Sequence, residues 1–209
     1  MKDLPCIKAA NKLQQTAWKI NDKVLEAVLE VDMQDEIDSC EDELEKERLK
    51  SKQLKLSYTK RKAKVLQGTA FYQLLDFDYR GRIYYRESIL NFQGSDYERG
   101  LFLFNESKVV DDKGLRWLKI HAANSFNASY DIQNLPVWIT SDYKTYLQKQ
   151  GLETISVDKM TLNDRALWTE NNMDMIEMVS YFNSLAECEK PVSFLAVAHE
   201  LVRYYMFTS

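Results

Sequence analysis

The chain has 209 residues, of which 45% are hydrophobic and 29% are charged. That length suffices for one sizeable core with a small appendage and excludes a multidomain enzyme, while the composition excludes wholesale disorder and low-complexity sequence. The net charge of −4 argues, taken alone, against a protein that coats nucleic acid by bulk electrostatics.

The sequence predicts neither a membrane span nor a cysteine site. The longest apolar runs, such as residues 194–198, fall far short of the roughly 20 residues that cross a bilayer, and the first six residues lack a signal-peptide layout. The three cysteines, Cys6, Cys40 and Cys188, lie far apart without a CxxC pair, so they offer neither a disulfide framework nor a thiolate zinc site. A reducing cytoplasm is the compartment that this pattern favours.

The amino-terminal segment, residues 1–31, is predicted to be helical. Asn21 is a suitable N-cap for a helix, because its side-chain oxygen can accept a hydrogen bond from the first turn. Four apolar residues then follow on one helical face, namely Val24, Leu25, Val28 and Leu29.

The second segment, residues 32–66, is predicted to be a charged arm. Residues 30–47 hold ten acids and a single base, whereas residues 48–64 hold only bases among their charges. The absence of Gly and Pro predicts a helical or helix-turn-helix extension with a sparse apolar seam at Leu44, Leu49 and Leu56. The acids can pair with the bases and mask them, or repel nucleic acid from the outer side. A charge run is also commonly just a solvated face.

The third segment, residues 67–209, opens with signals for strands and tight turns. Gly81, Gly94 and Gly100 lie among the strand-prone runs 83–85 and 101–104, which predicts a hairpin-like element. From residue 76 to 85 apolar and polar side chains alternate, as in a strand with one polar face. On that face Arg80 and Arg82 flank Gly81 and suit phosphate or base edges. An ordinary half-buried strand with a solvated charged face explains the same pattern.

Helical signals return after residue 110. Asp111 or Asp112 can cap a helix over residues 115–124, and Pro191 opens a last apolar helix. Lys119 lies on the same helical face as Leu115 and Ala122, so its ammonium needs an anionic partner or an escape to water.

Several other residues are predicted to be structural. His121 and His199 stand far apart, and no metal-hydrolase, nucleoside-triphosphatase or serine-hydrolase motif is present. His199 is predicted to be packed or hydrogen-bonded. The four tryptophans, Trp18, Trp117, Trp138 and Trp168, are predicted to be core or interface anchors.

Four blocks of sequence carry a resemblance to a known family. The first contains Gln15-Thr16-Ala17-Trp18-Lys19-Ile20-Asn21 and Lys23-Val24-Leu25. The second contains Asp78-Tyr79-Arg80-Gly81-Arg82-Ile83-Tyr84, which looks like a DxxGR motif. The third contains Asn91-Phe92-Gln93-Gly94-Ser95-Asp96, Gly100-Leu101, Gly114, Trp117-Leu118-Lys119-Ile120-His121 and Ala123-Asn124. The last contains Glu187, Pro191 and Phe194-Leu195-Ala196. In this order and spacing the chain resembles the single-subunit RNA polymerases of T-odd bacteriophages and mitochondria.

The resemblance implies an α+β, helix-rich fold: thumb helices plus the first part of a right-hand polymerase palm, without fingers or catalytic aspartates. Residues 1–31 would lead into the thumb, 32–66 would be the thumb arm and 67–209 the partial palm. The chain is then expected to be inactive alone and to be one subunit of a split phage DNA-directed RNA polymerase in an infected bacterium. A partner subunit would bring the aspartates, magnesium and fingers. An accessory promoter-binding or single-stranded-DNA-binding factor is a further possible partner.

Two other interpretations remain open at this stage. The chain can be a non-enzymatic relic of a polymerase that binds nucleic acid or protein, or an excised fragment of a longer polymerase. The start Met1-Lys2-Asp3 looks native and argues against a cut at that end, whereas nothing identifies Ser209 as a natural terminus.

The resemblance also implies roles for individual residues. Arg80, Arg82 and Tyr84 would lie against the DNA template or the RNA–DNA hybrid, with Gln93 and Gly94 supporting the same region. Lys119 would contact the triphosphate of the incoming nucleotide. The bases Lys60, Arg61, Lys62 and Lys64 would hold the hybrid through its phosphates. No metal ligand is expected in the chain.

Truncation of a palm before its catalytic strands predicts an uncovered sheet edge and helix face. The last helix supplies such a face, and a large obligate interface is expected there. The residues of this face are Phe194, Leu195, Val197, Leu201, Val202 and Tyr205.

Overall fold

The computed structural model describes residues 4–208, which form two compact units divided between Lys108 and Val109. Met1, Lys2, Asp3 and Ser209, on which the expectations about the chain ends rested, lie outside the described residues. These described residues are mostly helical and contain three small sheets, which confirms the predicted α+β class. The predicted functional division at residues 31 and 66 stays a prediction, because compactness alone does not test it.

The first unit contains five helices and four short strands among its described residues. In chain order these are α1 (Pro5–Gln14), β1 (Trp18–Ile20), α2 (Asp22–Glu30), α3 (Gln34–Ser39), α4 (Glu43–Leu66), β2 (Leu75–Phe77), β3 (Ile83–Tyr85), α5 (Asp96–Arg99) and β4 (Phe102–Phe104). Strand β1 pairs antiparallel with β4, and β2 pairs antiparallel with β3. The hairpin predicted near residue 83 is therefore confirmed.

Helix α2 forms as its sequence predicts. The Asn21 side chain accepts a hydrogen bond from the Val24 amide at 3.4 Å and caps the helix. Val24, Leu25 and Val28 are buried along one face. Burial of these side chains, rather than helix propensity, holds α2 in the unit.

Helices α3 and α4 confirm the helix-turn-helix reading of the charged arm. Asp42 caps α4 by accepting hydrogen bonds from the amides of Leu44 at 2.8 Å and Glu45 at 3.2 Å. The apolar seam is shorter than predicted: Leu56 is buried, but Leu44 is 65% exposed. The buried residues of α4, which are Leu56, Thr59 and Ala63, all lie in its carboxyl-terminal half.

An aromatic cluster holds the β1–β4 sheet in the first unit. The Trp18 ring stacks on Phe104 at a centroid distance of 4.4 Å and lies 4.5 Å from Phe92. Phe92 also stacks on Phe102 at 4.2 Å. Trp18 is thus a packing anchor, as predicted, and it joins residues more than 80 positions apart in the chain.

The second unit is mainly helical. Its elements are α6 (Asp112–Phe126), β5 (Ser129–Asp131), a 3₁₀ helix (Ile132–Asn134), α7 (Ser141–Lys149), β6 (Thr154–Ser156), a 3₁₀ helix (Val157–Lys159), α8 (Leu162–Asn171), α9 (Met173–Phe182) and α10 (Pro191–Thr208). Helix α6 packs against α8 and α10, and β5 pairs antiparallel with β6. The Asp111 carboxylate accepts from the Gly114 amide at 2.8 Å, which confirms the predicted cap of α6.

The core of the second unit covers most of the face of α10 that was expected to be free. Phe194, Leu195 and Leu201 are completely buried, and α10 packs against both α6 and α9. The prediction of an uncovered face was therefore wrong for these residues and for Val197, which is also buried. Helix α9, which supplies part of this cover, was not identified from the sequence.

Other structural predictions are mostly confirmed. His199 is hydrogen-bonded through both ring nitrogens, to Ser180 Oγ and Asn183 Oδ1, each at 2.9 Å. Trp168 is buried in the second core, whereas Trp117 is 57% exposed and is no core anchor. No helix within residues 4–208 is long and apolar enough to cross a membrane.

Candidate nucleic-acid interface

The β2–β3 hairpin carries the arginines of the DxxGR-like motif at its tip. The Asp78 amide donates to Arg82 O at 3.0 Å, and Gly81 closes the turn with φ +77°, a left-handed conformation that glycine adopts without steric cost. Residues 76–85 are thus two strands and a turn, and the predicted single strand face is wrong. Arg80 and Arg82 belong to the turn, not to one strand face.

Asp78 holds the backbone of this turn. Its Oδ1 atom accepts hydrogen bonds from the amides of Arg80 at 2.8 Å and Arg82 at 2.9 Å. The carboxylate thus binds the turn through backbone amides. Its effect is to fix the two arginine backbones while both side chains stay exposed.

Tyr79 is the residue at the tip that sequence reasoning missed. It is 88% exposed, its hydroxyl accepts from Arg80 Nε at 2.8 Å, and the guanidinium lies 5.1 Å from the ring centroid. An exposed aromatic ring beside two arginines suits stacking on a base together with phosphate contact. The available signal was its position next to a glycine turn, but the alternation assigned Tyr79 to the apolar face.

The outer face of the hairpin carries Tyr84 and an ion pair. Tyr84 lies opposite Asp76 in the strand register and is exposed. Arg86 donates from Nε and Nη2 to the two Asp76 oxygens, at 3.0 and 2.8 Å. The hydrogen bond from Arg86 lowers the pKa of the Asp76 carboxyl. Arg86 therefore has an anionic partner within the hairpin, whereas Arg80 at the tip donates to the neutral hydroxyl of Tyr79.

The Gln93 side chain binds strand β3 of the hairpin, and Gly94 makes room for the buried Glu98 carboxylate. The Gln93 side chain accepts from the Tyr85 amide at 3.2 Å and donates to Ile83 O at 3.1 Å. A Cβ atom at Gly94 would lie 1.9 Å from Glu98 Oε2, so only glycine leaves room for that carboxylate. Contact of either residue with nucleic acid stays a prediction.

The four bases of α4 that were predicted to hold the hybrid divide into two kinds. Lys60 Nζ donates to the carbonyls of Leu29, at 3.0 Å, and Val31, and so caps the end of α2. Lys62 Nζ pairs with Glu87 and donates to Ile89 O at 3.0 Å. Burial lowers the pKa of Lys60, although Asp32 and Glu30 oppose that shift. Both lysines therefore have structural partners.

Arg61 and Lys64 remain available to a ligand. The Arg61 guanidinium lies 5.6 Å from the centroid of the Tyr58 ring, and both bases are exposed. The acids of the arm pair locally, Glu45 with Arg48 at 3.1 Å and Glu47 with Lys50 at 2.6 Å. In the described part of the chain no ion pair joins the acidic block to Arg61 or Lys64, so it does not mask them by pairing.

We expect Lys60→Met and the pair Arg61→Gln/Lys64→Gln to separate stability from binding. Lys60→Met leaves two helix-end carbonyls without their donor and should lower the free energy of unfolding by about 1 to 2 kcal/mol. The Arg61/Lys64 pair should leave stability unchanged and reduce the salt dependence of nucleic-acid binding. Urea denaturation and fluorescence anisotropy measure the two effects. An unaltered salt slope in the double variant would assign these bases to a solvated surface.

A groove of about 450 Å³ in the second unit contains Lys119. The lysine side chain is only 13% exposed, and its Nζ lies 2.6 Å from Glu170 Oε1 on α8. Burial lowers the pKa of Lys119, but hydrogen bonds with Glu170 and Tyr205 outweigh it and leave the pKa raised. Lys119 therefore finds an anionic partner within its own unit.

Arg116 adds a second cation to the Lys119 groove and was not selected from the sequence. It lies one turn before Lys119 on α6, and its Nη2 donates to Asn163 Oδ1 at 2.8 Å. The groove is lined by two bases, Arg116 and Lys119, and by two acids, Asp112 and Glu170, so a multiply charged anion would have to displace a carboxylate to bind both bases. Within residues 4–208 no group of three or more His, Cys, Asp or Glu side chains is placed to hold a metal ion.

The fold and these surfaces define a helix-rich α+β segment with an exposed Tyr-Arg-Gly-Arg hairpin tip. No known family model matches the chain. It is 30% identical to the chloroplastic/mitochondrial DNA-directed RNA polymerase 2 of Arabidopsis thaliana over 205 residues, which cover 82% of this chain and 17% of that protein. It is 34% identical to the mitochondrial DNA-directed RNA polymerase 1B of Nicotiana tabacum over 160 residues, 61% of this chain and 16% of that protein.

A fungal relative supports the same assignment. A probable DNA-directed RNA polymerase of Neurospora crassa is 31% identical over 134 residues, 64% of this chain and 12% of that protein. The chain is homologous to the single-subunit, phage-type DNA-directed RNA polymerases of mitochondria and chloroplasts. It spans less than a fifth of the length of these relatives.

Proposed function

We propose that the chain is part of a DNA-directed RNA polymerase, a nucleotidyltransferase, in which it positions the template, the RNA–DNA hybrid and the incoming nucleotide. The observation that carries this proposal is the homology, which extends over as much as 82% of the chain and joins it to proteins named as RNA polymerases. The exposed arginines at the hairpin tip and the two bases in the groove around Lys119 are consistent with it.

Magnesium would be held outside the described residues. Nucleotidyl transfer uses carboxylate-bound metal ions to activate the attacking hydroxyl and stabilise the leaving pyrophosphate. The described residues contain no fitting carboxylate group, so this chain would contribute positioning rather than metal binding. Arg80 and Arg82 would contact phosphates, with Tyr79 and Tyr84 against bases or sugars.

The finer proposal is that the rest of the active site comes from a second polypeptide. The chain would be the thumb and partial-palm subunit of a split polymerase of a bacteriophage, acting in the cytoplasm of its host. The partner would carry the metal-binding aspartates and the fingers. Promoter reading would depend on that partner or on an accessory DNA-binding factor.

The test is RNA synthesis by reconstituted components. The chain is expressed with and without the neighbouring gene product that carries the missing aspartates, and magnesium-dependent RNA synthesis is measured on single-stranded DNA. Synthesis that requires both polypeptides is the expected result. A stable complex that makes no RNA over a range of templates and salt concentrations would refute the enzymatic proposal and leave binding alone.

The hairpin tip makes a separate prediction about binding. Arg80→Gln with Arg82→Gln should lower the affinity of the chain for an RNA–DNA hybrid by about tenfold or more, and reduce the salt slope by about one per lost phosphate contact. Fluorescence anisotropy at several salt concentrations measures both quantities. Arg86→Gln is the control for each single tip change, Arg80→Gln or Arg82→Gln, because it removes one positive charge beside the same hairpin but from a side chain already paired with Asp76. Equal effects of Arg86→Gln and a single tip change would contradict a specific role for the tip.

A further inference from the structure

Glu98 is a completely buried carboxylate in the first unit. Its Oε1 atom accepts from the Leu90 amide at 2.7 Å, and its Oε2 atom accepts from the Ser95 amide at 2.7 Å. Lys55 Nζ on α4 lies 2.9 Å from Oε2. A buried charge is tolerated only with such partners, and those of Glu98 come from both the 86–95 loop and α4.

The loop that Glu98 holds has an unfavourable conformation. Leu90 is fully buried with φ +61°, a left-handed conformation that costs a leucine steric energy. Its amide is bound by Glu98, and its carbonyl accepts from Gln73 Nε2 at 3.2 Å. A non-glycine residue keeps a left-handed conformation only where the surrounding structure enforces it. Residues strained in this way are concentrated at sites whose function requires a fixed backbone geometry.

The 86–95 loop contacts both α4 and the hairpin. Lys55 and Lys62 lie two turns apart on α4 and bind the loop through Glu98 and through Glu87 with Ile89 O, respectively. On the hairpin side of the loop, the Gln93 side chain accepts from the Tyr85 amide and donates to the Ile83 carbonyl of β3. Strand β3 leads directly from the arginine tip.

We propose that Glu98 is a positioning residue that, through its ion pair with Lys55, fixes the arginine hairpin relative to α4. The first unit has two cationic surfaces, the hairpin tip and the exposed bases of α4. The ion pair then keeps them in a fixed relative position, so that both can contact one nucleic-acid backbone. This role rests on the proposed function, although the mechanical link itself does not. Lys55 is half-exposed, so its replacement tests the link without unfolding the core.

Hydrogen exchange of the full chain tests the mechanical link. Lys55→Met should speed amide exchange in peptides covering residues 83–95 by about tenfold, because the carboxylate that holds the Leu90 and Ser95 amides loses its counter-charge. Lys55→Arg should restore slow exchange. Lys52→Met is the matched control, since it removes one charge from the same helix at a residue bound only weakly to Glu45, at 3.9 Å. Unchanged exchange in Lys55→Met, or an equal change in Lys52→Met, overturns the proposal.

Hybrid binding then separates positioning from simple loss of charge. In a double-mutant cycle, Arg80→Gln should reduce hybrid affinity severalfold less in the Lys55→Met background than in the parent chain, while remaining additive with Lys52→Met. Additivity with both lysine changes overturns the positioning role. If the parent chain binds no hybrid, the proposed function fails, and the exchange measurement still decides whether Glu98 and Lys55 hold the loop.

Discussion

Replacing Lys119 by alanine in the assembled polymerase should lower kcat/KM for nucleoside triphosphates by about 10- to 100-fold. Lys119 is nearly enclosed in a groove with Arg116 and bonded to Glu170, so an incoming triphosphate would take the place of one carboxylate. A charge-assisted hydrogen bond in such a site is worth roughly 1.5 to 3 kcal/mol, which sets the size of the effect. Steady-state kinetics with varied nucleotide concentration measure it.

Two controls make the Lys119 prediction specific. Lys113→Ala removes an exposed lysine from the first turns of the same helix and should leave nucleotide kinetics unchanged. Glu170→Gln keeps the shape of the partner but removes its competing charge, so it should lower KM for nucleotide. Because its pKa is raised, Lys119 stays protonated up to and above the pH at which an ordinary lysine loses its proton, so nucleotide affinity should show no Lys119 titration between about pH 6 and 9. Unchanged kinetics in Lys119→Ala would leave the lysine with a structural ion pair only.

Replacing Gly94 by alanine should destabilise the first unit by about 2 to 4 kcal/mol. The new Cβ atom would lie 1.9 Å from Glu98 Oε2 and 2.4 Å from its carboxyl carbon, so the carboxylate must move. Its movement leaves the buried Leu90 amide and the partly buried Ser95 amide without an acceptor, and Lys55 without its partner. Urea denaturation monitored by tryptophan fluorescence measures the loss.

Gly81→Ala is the comparison for this prediction. Gly81 has a positive φ and open space around its missing Cβ, so its replacement should cost only the backbone strain, about 1 kcal/mol. The double variant Gly94→Ala/Glu98→Ala should be hardly less stable than Glu98→Ala alone, because the carboxylate with which the new Cβ atom would clash is then absent. Equal costs at Gly94 and Gly81, or full additivity with Glu98→Ala, would contradict this account.

The elements that the sequence predicts well are those with local signals. The caps at Asn21 and Asp111, and Pro191 in the first turn of α10, each depend on chemistry within four residues of the helix end. The pairing of β1 with β4 carries no such signal, because it brings Trp18 to Phe104 from distant parts of the chain. The strands are three residues long, too short for periodicity to identify them.

At the candidate site, too, the sequence predicts which residue types are present but not the contacts between residues that are distant in the chain. The residue types of the hairpin were found, but alternation alone does not distinguish a ten-residue strand from two short strands and a turn. The partners of Lys60 and Lys62 lie 25 or more positions away, so a run of four bases was read as one surface. Lys119 was assigned a need for an anion, but Glu170 is 51 positions away and could not be identified as its partner.

The charge distribution of α4 gives this helix a large electric dipole. Its 24 residues span about 36 Å, with carboxylates at the amino-terminal end and ammonium and guanidinium groups toward the other. This order opposes the peptide macrodipole and favours the helix, which explains how so polar a helix forms with few buried residues. It also imposes a gradient of potential along the axis, so a polyanion approaching from solution is attracted to the basic, carboxyl-terminal end of α4 and repelled from the acidic end. Because the Debye length is about 8 Å at physiological ionic strength, this steering acts only over the last few water layers.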